Sequence, residues 1–271
     1  MAQEKGMIQT VVTKESLKKA LEEIGVTSNM MIEVHSSLSS FGHVIGGART
    51  VVDALMEIVG EDGTLLMPVQ AVDNSEPSKW VNPPASTTLW KTIRKEMPEY
   101  NPERTDLWRM GAVAENFRNR DGIVFSNHPS MSYAAYGRHA KLLCNRQSLH
   151  FPFAEESPTA RLYELKGHVL LLGVGFDKVT CMHLAEYRAE CRPIIVEGAS
   201  TRSAEGKEWR KYLNLDLDSS SFKKVGTIMK KKGMIKETMV GNCHIQFFSV
   251  NDAVDEATQY FEKTVLYDLY R

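Results

Sequence analysis

His183 and Glu186 stand three residues apart in the stretch Thr180-Cys181-Met182-His183-Leu184-Ala185-Glu186-Tyr187-Arg188. If that stretch is helical, both side chains leave the same face. The carboxylate can then fix the imidazole tautomer and stabilise its protonated form, as a histidine general base requires. The same spacing also describes an ordinary ion pair on a helix surface, and spacing alone leaves both readings open. Zinc is disfavoured. H-x-x-E-H needs a histidine where Tyr187 stands, and H-E-x-x-H also needs a glutamate where Leu184 stands. The four cysteines, Cys144, Cys181, Cys191 and Cys243, form no C-x-x-C pair, so no metal is expected.

Two further segments carry suggestive residues. His35-Ser36-Ser37-Leu38-Ser39-Ser40-Phe41-Gly42, running on to Gly46-Gly47, follows an apolar run and precedes a helical pattern. Hydroxyls, small residues and free N–H groups at a strand-to-helix junction suit phosphate or amide recognition. The segment is neither a Walker loop nor G-x-G-x-x-G, and an ordinary Ser/Gly-rich connection fits it as well. The second is Ser126 to Gly137, a polar stretch holding His128, which reads either as a site wall or as a structural loop. Two decoys are discounted. Gly173-Val174-Gly175 follows a strand pattern, but Lys178 occupies the third glycine position of a dinucleotide fingerprint. Lys223, Lys224 and Lys230 to Lys232 read as the solvated face of a helix, or, less simply, as a partner for a cofactor phosphate.

The elements that must position these residues can be read from periodicity. Leu17, Ala20, Leu21 and Ile24 make one helical face, capped by Thr13 and stopped by Gly25. Met30–Val34 reads as a strand, Thr50–Val59 as a helix with Thr50 and Asp53 at capping-box spacing, and Thr64–Val69 as an apolar strand. This strand–helix–strand order argues a parallel, helix-covered sheet. Short helices are expected at Leu89–Met97, Gly111–Arg118 and Thr159–Leu165, the last opened by Ser157-Pro158. Ile123–Phe125 is an apolar segment, Val169–Leu172 a buried strand, and 180–190 a helix closed by Pro193. In the last third, Ile194–Val196, Glu208–Leu213, Met234–Val240 and His244–Val250 read as strands, with helices at Ser219–Lys232 and Asn251–Lys263. The short Gly241-Asn242 turn suggests a hairpin and hence a partly mixed sheet. No repeat or long linker divides the chain, so one domain over 1–271 is expected.

Composition removes several function classes. Lys plus Arg is 33 against 34 for Asp plus Glu, a net charge of −1, so a domain-wide nucleic-acid footprint is not expected. No apolar run approaches a membrane span. The opening Met-Ala-Gln-Glu-Lys-Gly lacks a signal-peptide pattern, and unpatterned cysteines fit reduced thiols in a cytoplasmic protein.

Taken in order, these segments resemble the aminoglycoside 3-N-acetyltransferase family, in particular its small bacillus-type, prophage-associated branch. The likeness runs through H-S-S-L-S-S-F-G, G-G-A-R-T-V-V-D-A-L, D-G-T-L-L-M-P, S-N-H-P-S-x-S, S-P-T-A-R-L-Y, L-L-L-G, T-C-M-H-L-A-E-Y-R and a final C-x-x-x-x-F-x-V-x-D-A-V-D. It implies a three-layer α/β/α sandwich with a mostly parallel, partly mixed sheet, distinct from the GNAT fold. It also implies acetyl transfer from acetyl-CoA, as co-substrate and without metal, to the 3-amino group of a 2-deoxystreptamine aminoglycoside. The segment His35, Ser36, Ser37, Leu38, Ser39, Ser40, Phe41 and Gly42 is implied to run along CoA, His183 to be the general base, and Thr180 to help hold the oxyanion.

A histidine can take the proton from an amine that is largely charged at neutral pH, and pre-aimed donors stabilise the tetrahedral oxyanion. Glu186 is the expected orienter of His183, with Asp216 as an alternative. A polycationic acceptor asks for carboxylates, and Asp73, Glu76, Glu155 and Glu156 lie in loops that can supply them. The rivals are a CoA-binding protein with little catalysis, an acetyltransferase for some other amine, and a serine hydrolase using Ser36, Ser37 or Ser39. The last lacks a G-x-S-x-G elbow.

Overall fold

The computed structural model describes residue 8 and residues 10–264. The expectation drawn from the opening Met-Ala-Gln-Glu-Lys-Gly lies outside the described residues. The chain starts with β1 (Val11–Val12) and α1 (Lys14–Glu23). The Thr13 side chain accepts from the Ser16 N–H and the Ser16 side chain answers the Thr13 N–H, a complete capping box. Then come β2 (Met31–Ser36), β3 (His43–Val44), α2 (Gly47–Val59) and β4 (Thr64–Pro68). The α2 helix opens three residues before the expected Thr50. Gly46 in the left-handed region is its cap, and the Thr50 hydroxyl donates to the Ile45 carbonyl instead of capping. A loop-rich stretch holds α3 (Trp90–Glu96) and α4 (Ala112–Arg118), followed by β5 (Val124–Phe125), β6 (Tyr133–Gly137), α5 (Ala140–Cys144), α6 (Pro158–Glu164) and β7 (His168–Leu172). The chain continues with α7 (His183–Arg188), β8 (Ile194–Ser203), β9 (Gly206–Leu215), α8 (Phe222–Lys231), β10 (Lys236–Val240), β11 (Cys243–Ser249) and α9 (Val250–Lys263).

Seven strands form one mixed sheet in the order β10-β11-β7-β2-β4-β6-β5. The expectation of a mostly parallel sheet is corrected. Only β2–β4 and β2–β7 are parallel, whereas β4–β6, β5–β6, β7–β11 and β10–β11 are antiparallel. The parallel centre is what α2 enforces, since a crossover helix returns the chain in the same direction. The flanks arrive otherwise: β10 and β11 as a hairpin through Gly241 at φ 55, and β6 after a long loop excursion. A separate ribbon, β8–β9, pairs ten residues of each strand and extends well beyond the two short strands expected there.

Helices cover both faces, and strand alternation shows why. Leu65 and Met67 of β4, with Leu170 and Leu172 of β7, pack against α1, α2 and α4. Their neighbours Leu66, Val169 and Leu171 face the opposite core beneath α5 to α9. Strands buried on both faces are continuously apolar, as their sequences are. β2 is the exception. Ile32 and Val34 join the first core, while Glu33 and His35 fall on the second face, wholly or almost wholly buried.

Candidate active site

The three parallel strands β2, β4 and β7 end on the same edge of the sheet, where open α/β sheets form ligand crevices. The loops leaving those ends enclose a cleft of about 750 Å³. Its wall includes His35 to Ser39, Pro68 and Gln70, Arg109 to Ala112, Phe153, Val174, Asp177 to Lys178, Thr180 and His183. Residues distant in sequence thus converge on one cavity.

The segment expected to run along CoA divides in two. His35 and Ser36 belong to β2, not to a loop. Ser37, whose N–H donates to the Leu172 carbonyl, opens a 3-10 turn over Leu38–Phe41. His35 to Ser39 line the cleft, and the Ser37 and Ser39 hydroxyls are 3.2 Å apart. Ser40, Phe41 and Gly42 are not part of that wall. The Ser40 hydroxyl donates to the Ser37 carbonyl at 2.6 Å, Phe41 is fully buried, and Gly42 turns the chain at φ 82. Ser40 also sits where a Cβ on Gly173 would be, so Gly173 (φ 69) lets β7 end directly beneath this turn.

Thr180 and His183 come from a 3-10 turn, Thr180–Met182, that leads directly into α7. His183 Nδ1 is 2.5 Å from Glu186 Oε2. Glu186 is fully buried, and its other oxygen accepts from Arg192 Nε at 2.8 Å and from the Asp218 N–H at 3.1 Å. Its carboxylate is thus saturated and fixed, and Glu186, not Asp216, is the residue against His183. The imidazole stacks on Phe153 with ring centroids 5.6 Å apart and leans on Phe222 at 4.9 Å. With Nδ1 held by Glu186, Nε2 is the nitrogen left to work in the cleft. No hydrogen bond joins His183 to Ser36, Ser37 or Ser39 among the described residues, so a serine nucleophile paired with this base is not assembled.

The four acidic residues are not gathered. Asp73 lines a neighbouring cavity of about 1160 Å³, together with Asp106, Glu115, Lys79, Arg109, Trp80 and Trp108. Glu76 is buried against Arg94, with Nη2 2.5 Å from Oε1. Burial would raise its carboxyl, but the Arg94 guanidinium and the Ser78 N–H override this and hold it below the usual range. Glu155 is exposed and pairs with Arg188 at 2.8 Å, while Glu156 is exposed; neither lines the cleft.

His128 proves structural. Its Nδ1 accepts from the Ser130 and Met131 N–H groups, its Nε2 meets the Leu149 carbonyl, and burial pulls it down to about 4. Sequence reasoning missed Gln70, Phe153 and Arg109. Arg109, at φ 74, lies 3.9 Å from the Trp108 ring centroid and borders both cavities. The only local signal was an arginine and a tryptophan in a loop. Among the described residues no cluster of metal-ligating side chains occurs, and no helix is long and apolar enough to cross a membrane.

Comparison with known proteins is consistent along nearly the whole chain. The profile of the family described as aminoglycoside 3-N-acetyltransferase matches residues 34–262. The SPbeta prophage-derived aminoglycoside N(3')-acetyltransferase-like protein YokD of Bacillus subtilis (strain 168) is 41% identical over 251 residues, covering 92% of each chain. The crystal structure of YokD superposes with a TM-score of 0.92, covering 96% of this chain and 97% of that one at 38% identity. AAC-IIIb, solved as a binary complex with CoASH, gives a TM-score of 0.83 at 25% identity, covering 94% of this chain and 97% of that one. AAC-VIa, solved with bound sisomicin, gives 0.83 at 25% identity, covering 93% and 98%.

Proposed function

The chain belongs to the aminoglycoside 3-N-acetyltransferase family, and from that premise we propose that it carries the acetyl group of acetyl-CoA directly to an amine, with His183 as general base. The observation that carries this reading is the buried Glu186 behind His183, with Thr180 and the His35–Ser39 segment lining the same cleft. His183 Nε2 takes the proton from the attacking ammonium-derived nitrogen, while Glu186 holds Nδ1 and balances the imidazolium that results. Attack on the thioester carbonyl develops an oxyanion, for which Thr180 offers a donor. One well-aimed donor is worth roughly 3–4 kcal/mol in such a site. The carbon–sulfur bond then breaks, and CoA leaves as thiolate without an acyl-enzyme. The CoA complex of AAC-IIIb supports CoA as the co-substrate, and the cleft lining of His35–Ser39 is the ground for assigning that segment to it.

For the acceptor, the family's description as aminoglycoside 3-N-acetyltransferase, together with the sisomicin complex of AAC-VIa, supports the 3-amino group of an aminoglycoside. A second reading, an amine of lower charge, is favoured by the larger cavity. There Asp73, Asp106 and Glu115 are offset by Lys79 and Arg109, beside the apolar surfaces of Trp80 and Trp108. The test is thiol release from acetyl-CoA with a panel of aminoglycosides and simpler aromatic and aliphatic amines, followed by product analysis. A base-stable N-acetyl product on an aminoglycoside carries the first reading, and turnover confined to the simpler amines carries the second. A base-labile O-acetyl product, or CoA binding with no acceptor at all, sinks the amine transferase reading.

A further inference from the structure

Glu33 is the anomaly of the sheet. It lies on the second face of β2, between Leu66 of β4 and Val169 of β7, with an apolar side chain beside it on each neighbouring strand. It is fully buried, and neither carboxyl oxygen has a hydrogen-bond partner. A carboxyl in such a place opposes folding, because a buried polar group without partners loses its hydration and gains nothing in return. Leucine or valine would suit these neighbours better, so packing gives no reason for an acid here.

The nearest polar groups give the reason. Two residues on along the same face, His35 points the same way, and its Nε2 is 3.6 Å from Glu33 Oε1. The same Nε2 is 3.4 Å from the Thr180 N–H. One imidazole nitrogen cannot serve both. Bare, it accepts from the Thr180 amide; protonated, it turns to the Glu33 carboxyl and the amide is released. His35 and Thr180 both line the cleft that holds His183. Cys181 and Tyr133 surround the carboxyl from the neighbouring turn and from β6. Burial, with Glu33 as the second cause, pushes both well up, so they stay protonated beside it.

We propose that Glu33 is a positioning residue of the acyl-transfer site, competing with the Thr180 amide for Nε2 of His35 and so setting both the tautomer of that ring and the freedom of the Thr180 N–H to meet the developing oxyanion. The exchange moves one proton between the two ring nitrogens and consumes none. This inference rests on the acetyl-transfer reading above, and it adds a second carboxyl–imidazole pair to the cleft that His183 lines.

The test uses Glu33→Gln, nearly isosteric, and Glu33→Leu, which matches its apolar neighbours. In both, turnover of acetyl-CoA with the best acceptor should fall at least ~10-fold, less than the ~10²- to 10³-fold for removing an oxyanion donor outright because the Thr180 N–H is misplaced rather than lost, while KM for acetyl-CoA stays within about twofold. Glu33→Leu should melt at or above the wild-type temperature. The imidazole ¹⁵N signals of His35, assigned by His35→Gln, should report a different proton position in Glu33→Gln than in the wild type, a readout that needs no acceptor. If the wild type turns over no amine, the function proposed above fails and the ¹⁵N signals alone decide the pair. Unmoved His35 signals, turnover retained in both variants, or a Glu33→Gln variant that loses melting temperature and CoA binding together would each overturn the proposal.

Discussion

His183 Nδ1 lies 2.5 Å from Glu186 Oε2, and the carboxylate making that contact is fully buried. The pair is not the surface ion pair that its spacing also allowed. Behind it, Arg192 and the Asp218 N–H occupy the second oxygen, so the acid cannot swing away. A base held this way should be separable from binding. His183→Ala and His183→Asn should keep CoA affinity and lose ~10²- to 10⁴-fold in turnover, the range for removing general-base catalysis. Isothermal titration with CoA and thiol-release kinetics check the two halves. Near-wild-type turnover would remove His183 from the mechanism.

Arg192 should matter in a different way. Its guanidinium is nearly buried between Glu186 and Asp218, and Arg192→Leu strands the Glu186 carboxylate with only His183 and one N–H. Breaking such a pair costs about 3–5 kcal/mol. The double variant Arg192→Leu with Glu186→Gln should recover a substantial part of the stability but not the activity. Urea unfolding of the two single variants and the double variant gives the coupling energy directly. Independent, additive losses would mean that Arg192 does not hold the orienting acid.

What was readable in the sequence was what is local. The three-residue step from His183 to Glu186, the Thr13 cap and the Ser157-Pro158 helix start depend on neighbours along the chain, and the structure has each of them, whereas the capping-box spacing at Thr50 and Asp53 does not cap α2. The β2–α2–β4 unit followed from continuous apolar strands around an amphipathic helix. What failed is non-local. β6 was hidden because Tyr133-Ala-Ala-Tyr-Gly has no β-branched residue and follows a polar stretch, and its strand character comes from pairing with β4 and β5 on either side. The β8–β9 ribbon was cut short because Arg202, Lys207, Arg210 and Lys211 face solvent outside the main sheet, where the pattern loses its period. Arg192, Asp218 and Phe153 reach the site only through the fold.

His128 makes stability depend on pH. In the folded protein burial lowers it to about 4, whereas an unfolded histidine titrates near ~6.5. Between those values the unfolded chain binds the extra proton, so stability is full above ~6.5 and falls as pH drops toward 4, by roughly 3 kcal/mol from this residue. His168, lowered first by burial and then by Lys236, acts in the same direction. His128→Gln should cost stability at neutral pH, because the Ser130 and Met131 N–H groups lose their acceptor. It should also flatten the fall between pH 6.5 and 4. Parallel urea titrations across that window check the slope, and an unchanged slope would mean the ring is charged in the folded state.

The turn after β2, with Gly173 packed beneath it at the end of β7, offers three substitutions that separate cleft contact from backbone strain. CoA should raise the melting temperature, since a ligand that binds only the folded form stabilises it by about 2.7 kcal/mol at 100 times its Kd. Ser39 lines the cleft, so Ser39→Phe should leave the unliganded protein near its normal melting temperature and abolish most of the CoA shift. Gly42 at φ 82 faces the Asn242 side chain, not the cleft. Gly42→Ala should therefore lower the unliganded melting temperature, through ~1–3 kcal/mol of strain, and keep the CoA shift. Gly173 combines both effects. Its φ of 69 penalises any side chain, and a Cβ there displaces Ser40 and with it the Ser37–Ser39 wall. Gly173→Ala should lose unliganded stability and CoA shift together. Thermal melts of the four proteins with and without CoA distinguish these patterns. A full CoA shift in Ser39→Phe would place the co-substrate elsewhere than along His35–Ser39, whatever the other two variants do.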